Sequence, residues 1–463
     1  MKKQSVIKLA SVPIILFTLQ SCFTAKNYVR PEVVDEAYFR TDQLPQDSLA
    51  MAEISWQELF EDEILRGYVE EGLENNLDIR IALEQINAAE AYYRQGRASY
   101  YPDLNTGVQA SRQQLSENSQ TGSGDLTQYE LTGTLSWEAD IWGRIRSDAR
   151  AYEASYLQTA AAHKAVKTEL IANIASVYFQ LLSLDEQRRI TGESVSNRKR
   201  SLETTRSLKE AGYVTEAGVM QTEAQIYTAQ ALLIEIRTNI KLLENTMSIL
   251  LGKAPGEIER GRLDQQEITQ ETEVGYPVQL LRNRPDVIAA EYNLINAFEL
   301  VNVARSDFYP SLNISVTGGF QSMELDNLLS ANSIFSAVIG SLTQPVFNRR
   351  RIRTRYEVSL SQQEQAYLDF RQAILNAGRE VSDALYSLEA AEERIEVESL
   401  EYEAYEAATD YSEELLNNGL VNYLEVLTAR ENALNSQLSL INARYDRLNS
   451  IVELYRALGG GWQ

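Results

Sequence analysis

Arg97-Ala98-Ser99-Tyr100-Tyr101-Pro102-Asp103-Leu104-Asn105 returns, at an offset of 208, as Arg305-Ser306-Asp307-Phe308-Tyr309-Pro310-Ser311-Leu312-Asn313. Arginine, the Tyr-Pro pair and the Leu-Asn pair keep their places, and Asp78 and Asp286 share the same offset. Further on, Trp142-Gly143-Arg144-Ile145-Arg146 is read against Phe347-Asn348-Arg349-Arg350-Arg351 at an offset of 205. Gly212 and Val214 match Gly419 and Val421, and Leu251-Gly252 matches Leu458-Gly459, at 207. So little drift over so long a span means one structural unit used twice. Function is then sought on the pseudo-symmetry axis or at its ends.

Each copy contains long helices. None of the nine prolines falls in 103–254 or 346–463, and proline breaks helix interiors. Tyr367, Phe370, Ile374, Ala377, Val381, Ala384, Leu388, Ala391 and Ile395 alternate steps of three and four, a heptad seam. Leu424, Leu427, Glu431, Leu434, Leu438, Ile441, Tyr445, Leu448 and Val452 form another after Gly419. In the first copy Leu170, Ile174, Val177, Leu181 and Leu184 precede Gly212, and Ile226, Ala229, Leu233, Ile236, Ile240, Leu243, Met247 and Leu250 follow it. Each copy therefore predicts a helical hairpin turning at Gly212 or Gly419, where glycine suits a C-cap. A helix over 146–210 would be ~95 Å long at 1.5 Å per residue, a shaft and not a globular core.

Each copy also holds two segments of period two. Leu104, Thr106, Val108 and Ala110 alternate, as do Tyr129, Leu131, Gly133, Leu135 and Trp137, with the polar stretch 116–125 between them. Leu312, Ile314, Val316, Gly318 and Phe320 are followed by Ile334, Ser336, Val338, Gly340 and Leu342. Segments of ~10 residues with this period fit membrane β-strands. Surface hairpins are the plainer alternative, but two hairpins leave edges open. Four strands close no barrel, and eight enclose only side chains. Three chains give twelve strands, so the expectation is a trimer whose helices form a hollow cylinder continuous with the barrel.

The chain begins with a processing signal: Lys2 and Lys3, an apolar run from Val6 to Leu19, then Leu19-Gln20-Ser21-Cys22. Cys22 is the one cysteine, and the stretch resembles a bacterial lipobox, which would make Cys22 an acylated (palmitate-bearing) first residue. Loss of 1–21 would take the net charge from −23 to −26. That balance disfavours nucleic acid and is explained by solubility. No other stretch has the ~18 apolar residues of a membrane helix. The organisation read is a signal peptide over 1–21, a lipidated and partly equatorial segment over 22–75, repeats over 76–252 and 284–459, an inter-repeat segment over 253–283, and a tail over 460–463.

Ser136-Trp137-Glu138-Ala139-Asp140-Ile141-Trp142-Gly143-Arg144, Leu281-Arg282-Asn283-Arg284-Pro285-Asp286-Val287, 304–311 and Thr343-Gln344-Pro345-Val346-Phe347 occur in this order. With 379–384, Asn422-Tyr423-Leu424 and the Gly-Gly-Gly-Trp end at 459–462, they carry a resemblance to the TolC-like outer-membrane factors. The likeness is to the lipoprotein branch serving resistance–nodulation–division efflux pumps, and it covers nearly the whole mature chain. It implies a mainly α protein with membrane β-structure: a homotrimer with a twelve-stranded barrel and a long periplasmic α-barrel, lipid-anchored in the outer membrane. It implies a periplasmic adaptor, an inner-membrane pump and no cofactor beyond lipid on Cys22. The turns Gly212, Tyr213, Val214, Thr215 and Gly419, Leu420, Val421, Asn422 would meet the adaptor. Relatives narrow the pore with aspartates where this chain has Val421 and Thr428. Glu425, with Tyr423 and Glu216, is the nearest substitute, and a solvated helix face explains the glutamates equally. The arginines 349, 350, 351 and 353, with Arg144 and Arg146, would lie where strands become helices, near inner-leaflet head groups or in structural salt bridges.

An enzyme is disfavoured by one unpartnered histidine, His163, and by the lack of a phosphate loop. Two alternatives stay open: a channel for type I protein secretion and a structural coiled-coil lipoprotein. Cargo, pump and adaptor are not legible.

Overall fold

In the computed structural model the described residues are 25–31, 54–115, 124–266, 268 and 284–462. The signal segment, Cys22, the stretch 116–123 and residues 281–283 of the Leu-Arg-Asn-Arg motif lie outside them. Two lead-in helices, α1 (Trp56–Leu59) and α2 (Glu63–Asn75), come first. The first copy then runs α3 (Leu77–Ala98), β1 (Asp103–Leu115), β2 (Gly124–Ala139), α4 (Arg144–Glu210) and α5 (Glu216–Leu250). The second runs α6 (Pro285–Ser306), β3 (Ser311–Ser322), β4 (Ile334–Thr343), α7 (Arg351–Asn417) and α8 (Tyr423–Ala457). Helix lengths of 22, 67 and 35 residues recur in both copies.

The helix starts correct the offset of 205 at the strand-to-helix junction. Arg144-Ile145-Arg146 opens α4 as Arg351-Ile352-Arg353 opens α7. The junction thus keeps the same offset as the turn glycines, and Gly143 corresponds to Arg350. The fold repeats the helix start, not the position of the aromatic residue before it.

The chain divides into two compact units, each drawing on both copies. One comprises 25–31 with Ile86–Thr159 and Ala290–Phe370. It contains a single antiparallel sheet ordered β1-β2-β3-β4. The sequence suggests two hairpins; the structure joins them through β2 and β3, from Tyr129↔Ser322 to Ala139↔Leu312. In the helices of this unit the Tyr92 and Tyr152 rings stack with centroids 6.3 Å apart. Asn302 brackets the Lys26 backbone through hydrogen bonds of 3.3 and 3.0 Å.

The other unit comprises the described parts of Val33–Gln85, Ala160–Ala289 and Arg371–Gln463. Its core forms where α1 and α2 lay Trp56, Leu59, Leu65 and Val69 against Ile174, Tyr178 and Phe179 of α4 and Val452 and Tyr455 of α8. Each aliphatic or phenylalanine side chain among these contributes about 1.5–3 kcal/mol on burial. The seam residues Ile374, Val381, Leu388, Ile441 and Leu448 are buried as their spacing requires.

Asp62 caps α2, accepting from the amides of Ile64 at 2.8 Å and Leu65 at 3.3 Å. The two copies close alike. Asn76 caps α3, and its Nδ2 donates to the Leu250 carbonyl at 2.9 Å. Arg284, its counterpart in the second copy, donates from Nη1 to the Ala457 carbonyl at 2.8 Å. Each contact ties the first helix of a copy to the end of its last. Arg284 is buried and held by Asp286 at 2.7 Å and Glu380 at 2.9 Å. Burial opposes its charge, but these carboxylates outweigh it and raise its pKa.

Candidate functional site: a two-faced sheet and two helical turns

Register across the sheet sorts its side chains into two faces. Leu104, Leu135, Val316 and Val338 form one continuous row, and Val108, Leu131, Phe320 and Ile334 another on the same face. The opposite face carries Asn105, Thr134 and Thr317 in one row and Gln109, Glu130 and Gln321 in another. Thr134 and Thr317 hydroxyls meet at 3.1 Å, and Gln321 donates to Glu130 at 3.2 Å. The apolar residues are not covered: Val108 is 80% and Val338 73% exposed. Strands with one apolar and one polar face belong to a membrane wall with a wet interior. β1 and β4 are edges of this sheet.

The turns of the two helical hairpins share one construction. Gly212 has φ +83° and Gly419 φ +72°, the left-handed region where glycine costs least. The next amide reaches back five residues, Tyr213 to the Leu208 carbonyl and Leu420 to the Leu415 carbonyl, both at 2.9 Å. This satisfies the orphan carbonyls of a helix end. Tyr213 and Leu420, equivalent residues at the apices, project into solvent. Thr215 caps α5 by accepting from the Gly218 amide at 3.3 Å. Asn422 caps α8 by accepting from Leu424 at 2.9 Å and Glu425 at 3.2 Å. Val214 packs on Gly218, and Val421 is half-buried.

The three acid and aromatic candidates near these turns differ in kind. Glu216 is ion-paired to Lys209 across the first turn. Glu425 is exposed and makes no ion pair with any described residue. Tyr423 is buried, and its hydroxyl has no hydrogen-bond partner among the described residues. It lines a groove with Arg198, Ser201, Glu413 and Arg430. There Arg198 binds Glu431 and donates to the Gln225 carbonyl at 3.2 Å, while Arg430 binds Glu413 at 2.6 Å and Ser201. Arg198 to Glu431 and Arg430 to Ser201 clamp one helical hairpin to the other, and the sequence reading missed them. The available signal was Glu431, a carboxylate at an apolar seam position.

Residues 68–253 and 276–460 each match the family described as outer membrane efflux protein. The chain belongs to that family. The starts of the two matches, 68 and 276, keep the offset with which the repeat opens. The solvent efflux pump outer membrane protein SrpC of Pseudomonas putida is 29% identical over 98% of this chain and 99% of its own. The cation efflux system protein CusC of Escherichia coli O6:H1 is 27% identical over 97% and 98%. The solved structure of the outer-membrane channel OprN superposes with a TM-score of 0.88 at 25% identity, over 95% of this chain and all of that one. This outer membrane efflux protein is therefore the outer-membrane component of an efflux system, located in the cell outer membrane. The two-faced sheet is its membrane wall.

Proposed function

We propose that three copies of this chain form one passive conduit, through which small molecules handed over by an inner-membrane pump leave the cell. The observation that carries the reading is the open sheet with one apolar and one polar face. A membrane leaves no strand edge unpaired, so β4 of one copy would pair with β1 of the next until twelve strands close. The apolar rows then face lipid and the polar rows line the channel. The exposed turns at 211–215 and 418–422 are the surface for a periplasmic adaptor, which joins the conduit to a pump of the resistance–nodulation–division class. Lipid on Cys22 would add a second anchor. SrpC and CusC are named for solvents and cations, and the cargo here is set by the pump.

The resting constriction is assigned to the start of α8. Three copies would bring three Glu425 carboxylates around one axis, and a carboxylate ring in a wet pore favours cations. Glu216 is neutralised by Lys209 and contributes less. Tyr423 supports the constriction from within its own protomer, because it is buried. Planar-bilayer conductance tests this. Glu425→Lys should lower cation preference, and Glu425→Ala with Tyr423→Ala should raise resting conductance. Both variants conducting as wild type would place the constriction elsewhere, and absence of any conductance from the wild type would remove the channel reading itself.

A further inference from the structure

The two strand-to-helix junctions occupy equivalent positions in the repeat but are balanced differently. At the first, Arg144 is paired to Glu138 at 2.6 Å, and Asp140 accepts from the amides of Ile145 at 2.9 Å and Arg146 at 3.1 Å. One carboxylate thus caps the positive end of α4, and the other neutralises Arg144. At the second, the corresponding positions are Pro345 and Phe347, which carry no charge. The first turn of α7 has no acid either. Yet four arginines, Arg349, Arg350, Arg351 and Arg353, gather there. Arg350 and Arg353 share one carboxylate, Glu357, at 3.1 and 3.3 Å. Arg349 and Arg351 form no ion pair with any described residue. Cations at a helix N-terminus oppose the helix dipole, so Arg349 and Arg351, which have no carboxylate among the described residues, do not serve the helix.

The backbone points the same way. Arg349 has φ +55° and Arg350 φ +67°, in the left-handed region where the first copy uses Gly143. Side chains are unfavourable there, so arginine is held at Arg350 against a local preference for glycine. Just before the cluster, Val346 is 80% and Phe347 98% exposed. Tyr100, Tyr101, Trp137 and Phe308 lie exposed at the same end of the sheet. Exposed aromatics at one end of membrane strands mark the level of the lipid head groups.

We propose that Arg349, Arg350 and Arg351 bind the phosphate of an anionic glycerophospholipid, with Val346 and Phe347 seated among its acyl chains. The lipid phosphate would answer Arg351 as Glu138 answers its counterpart Arg144. The inference rests on the placement of the sheet in the outer membrane, so wild-type protein is first tested for conductance. Failure there removes both readings; conductance without lipid preference removes this one alone. Full-length protein in mild detergent is then offered equal phosphatidylglycerol and phosphatidylcholine, and bound lipid is counted by native mass spectrometry. Wild type should prefer phosphatidylglycerol by about tenfold. Arg349→Gln with Arg351→Gln should bring that to near parity, while Lys199→Gln with Arg200→Gln should leave it intact. Arg350→Gly should raise the thermal midpoint by relieving the backbone while weakening the lipid preference, a pairing that a purely structural arginine would not show. Unchanged preference in the junction variants, an equal loss in the Lys199 and Arg200 control, or displacement by equimolar inorganic phosphate would overturn the assignment.

Discussion

Asp62 is held by four donors. One carboxylate oxygen takes the amides of Ile64 and Leu65, and the other takes the Tyr178 hydroxyl and the Gln266 amide, each at 2.7 Å. Burial alone would raise the carboxyl pKa, but the hydrogen bonds from Tyr178, Gln266 and the two amides outweigh it and hold it below the usual range. Burial, with Asp62 beside it, pushes the Tyr178 hydroxyl up. A depressed carboxyl stabilises the fold above its unfolded pKa of about 3.9, and that stability is lost as pH falls through the lower folded value. Asp62→Asn keeps the cap and removes the titration. Its melting temperature in detergent should therefore fall less between pH 5 and pH 3 than that of wild type; parallel falls would show that Asp62 is not a source of the acid sensitivity. Asp62→Ala should cost about 1–2 kcal/mol at neutral pH from the lost cap.

Among the elements, the glycines that end helices do two jobs. Gly212 needs only its positive φ, for a Cβ there would meet nothing within 4 Å. Gly252, with φ +69°, also lies against α2, where a Cβ would fall 2.4 Å from the Asn75 carbonyl oxygen. Gly212→Ala should cost about 1 kcal/mol, the left-handed penalty alone. Gly252→Ala should cost about 3 kcal/mol or more, because backbone must also move. Thermal denaturation of the two variants checks the order, and equal losses would mean that the contact at Gly252 relaxes freely.

In the molecule as a whole, the membrane sheet and the turns are separable. The strands that close the wall and the turns proposed to meet an adaptor belong to different compact units. Gly419→Trp places bulk at an exposed turn without touching the sheet edges. It should abolish export, read as solvent or drug susceptibility of cells, while the trimer and its outer-membrane fractionation persist. Normal export from that variant would remove the second turn from the adaptor surface.

Repetition, helix seams, turn glycines and alternating strands were legible in the chain because each is a local periodicity. Phe370, Ile374 and Ala377 follow one another at helical spacing whatever surrounds them, and Gly419 turns for its own steric reasons. Partner choice is not local. That β2 lies against β3, turning two hairpins into one sheet, depends on register between strands from different copies of the repeat, where no single residue type signals the match. Arg198 and Glu431 lie 233 residues apart, and neither names the other until both hairpins are packed. Tyr423 reads as a companion of Glu425 at the pore constriction and is buried in the groove between them, because apolar area goes where packing leaves room. Order along the chain was enough for the elements and their repetition. Packing alone chose which charges found partners and left Arg349 and Arg351 without an ionic one among the described residues, since Coulomb pairing follows distance in space and not spacing along the chain.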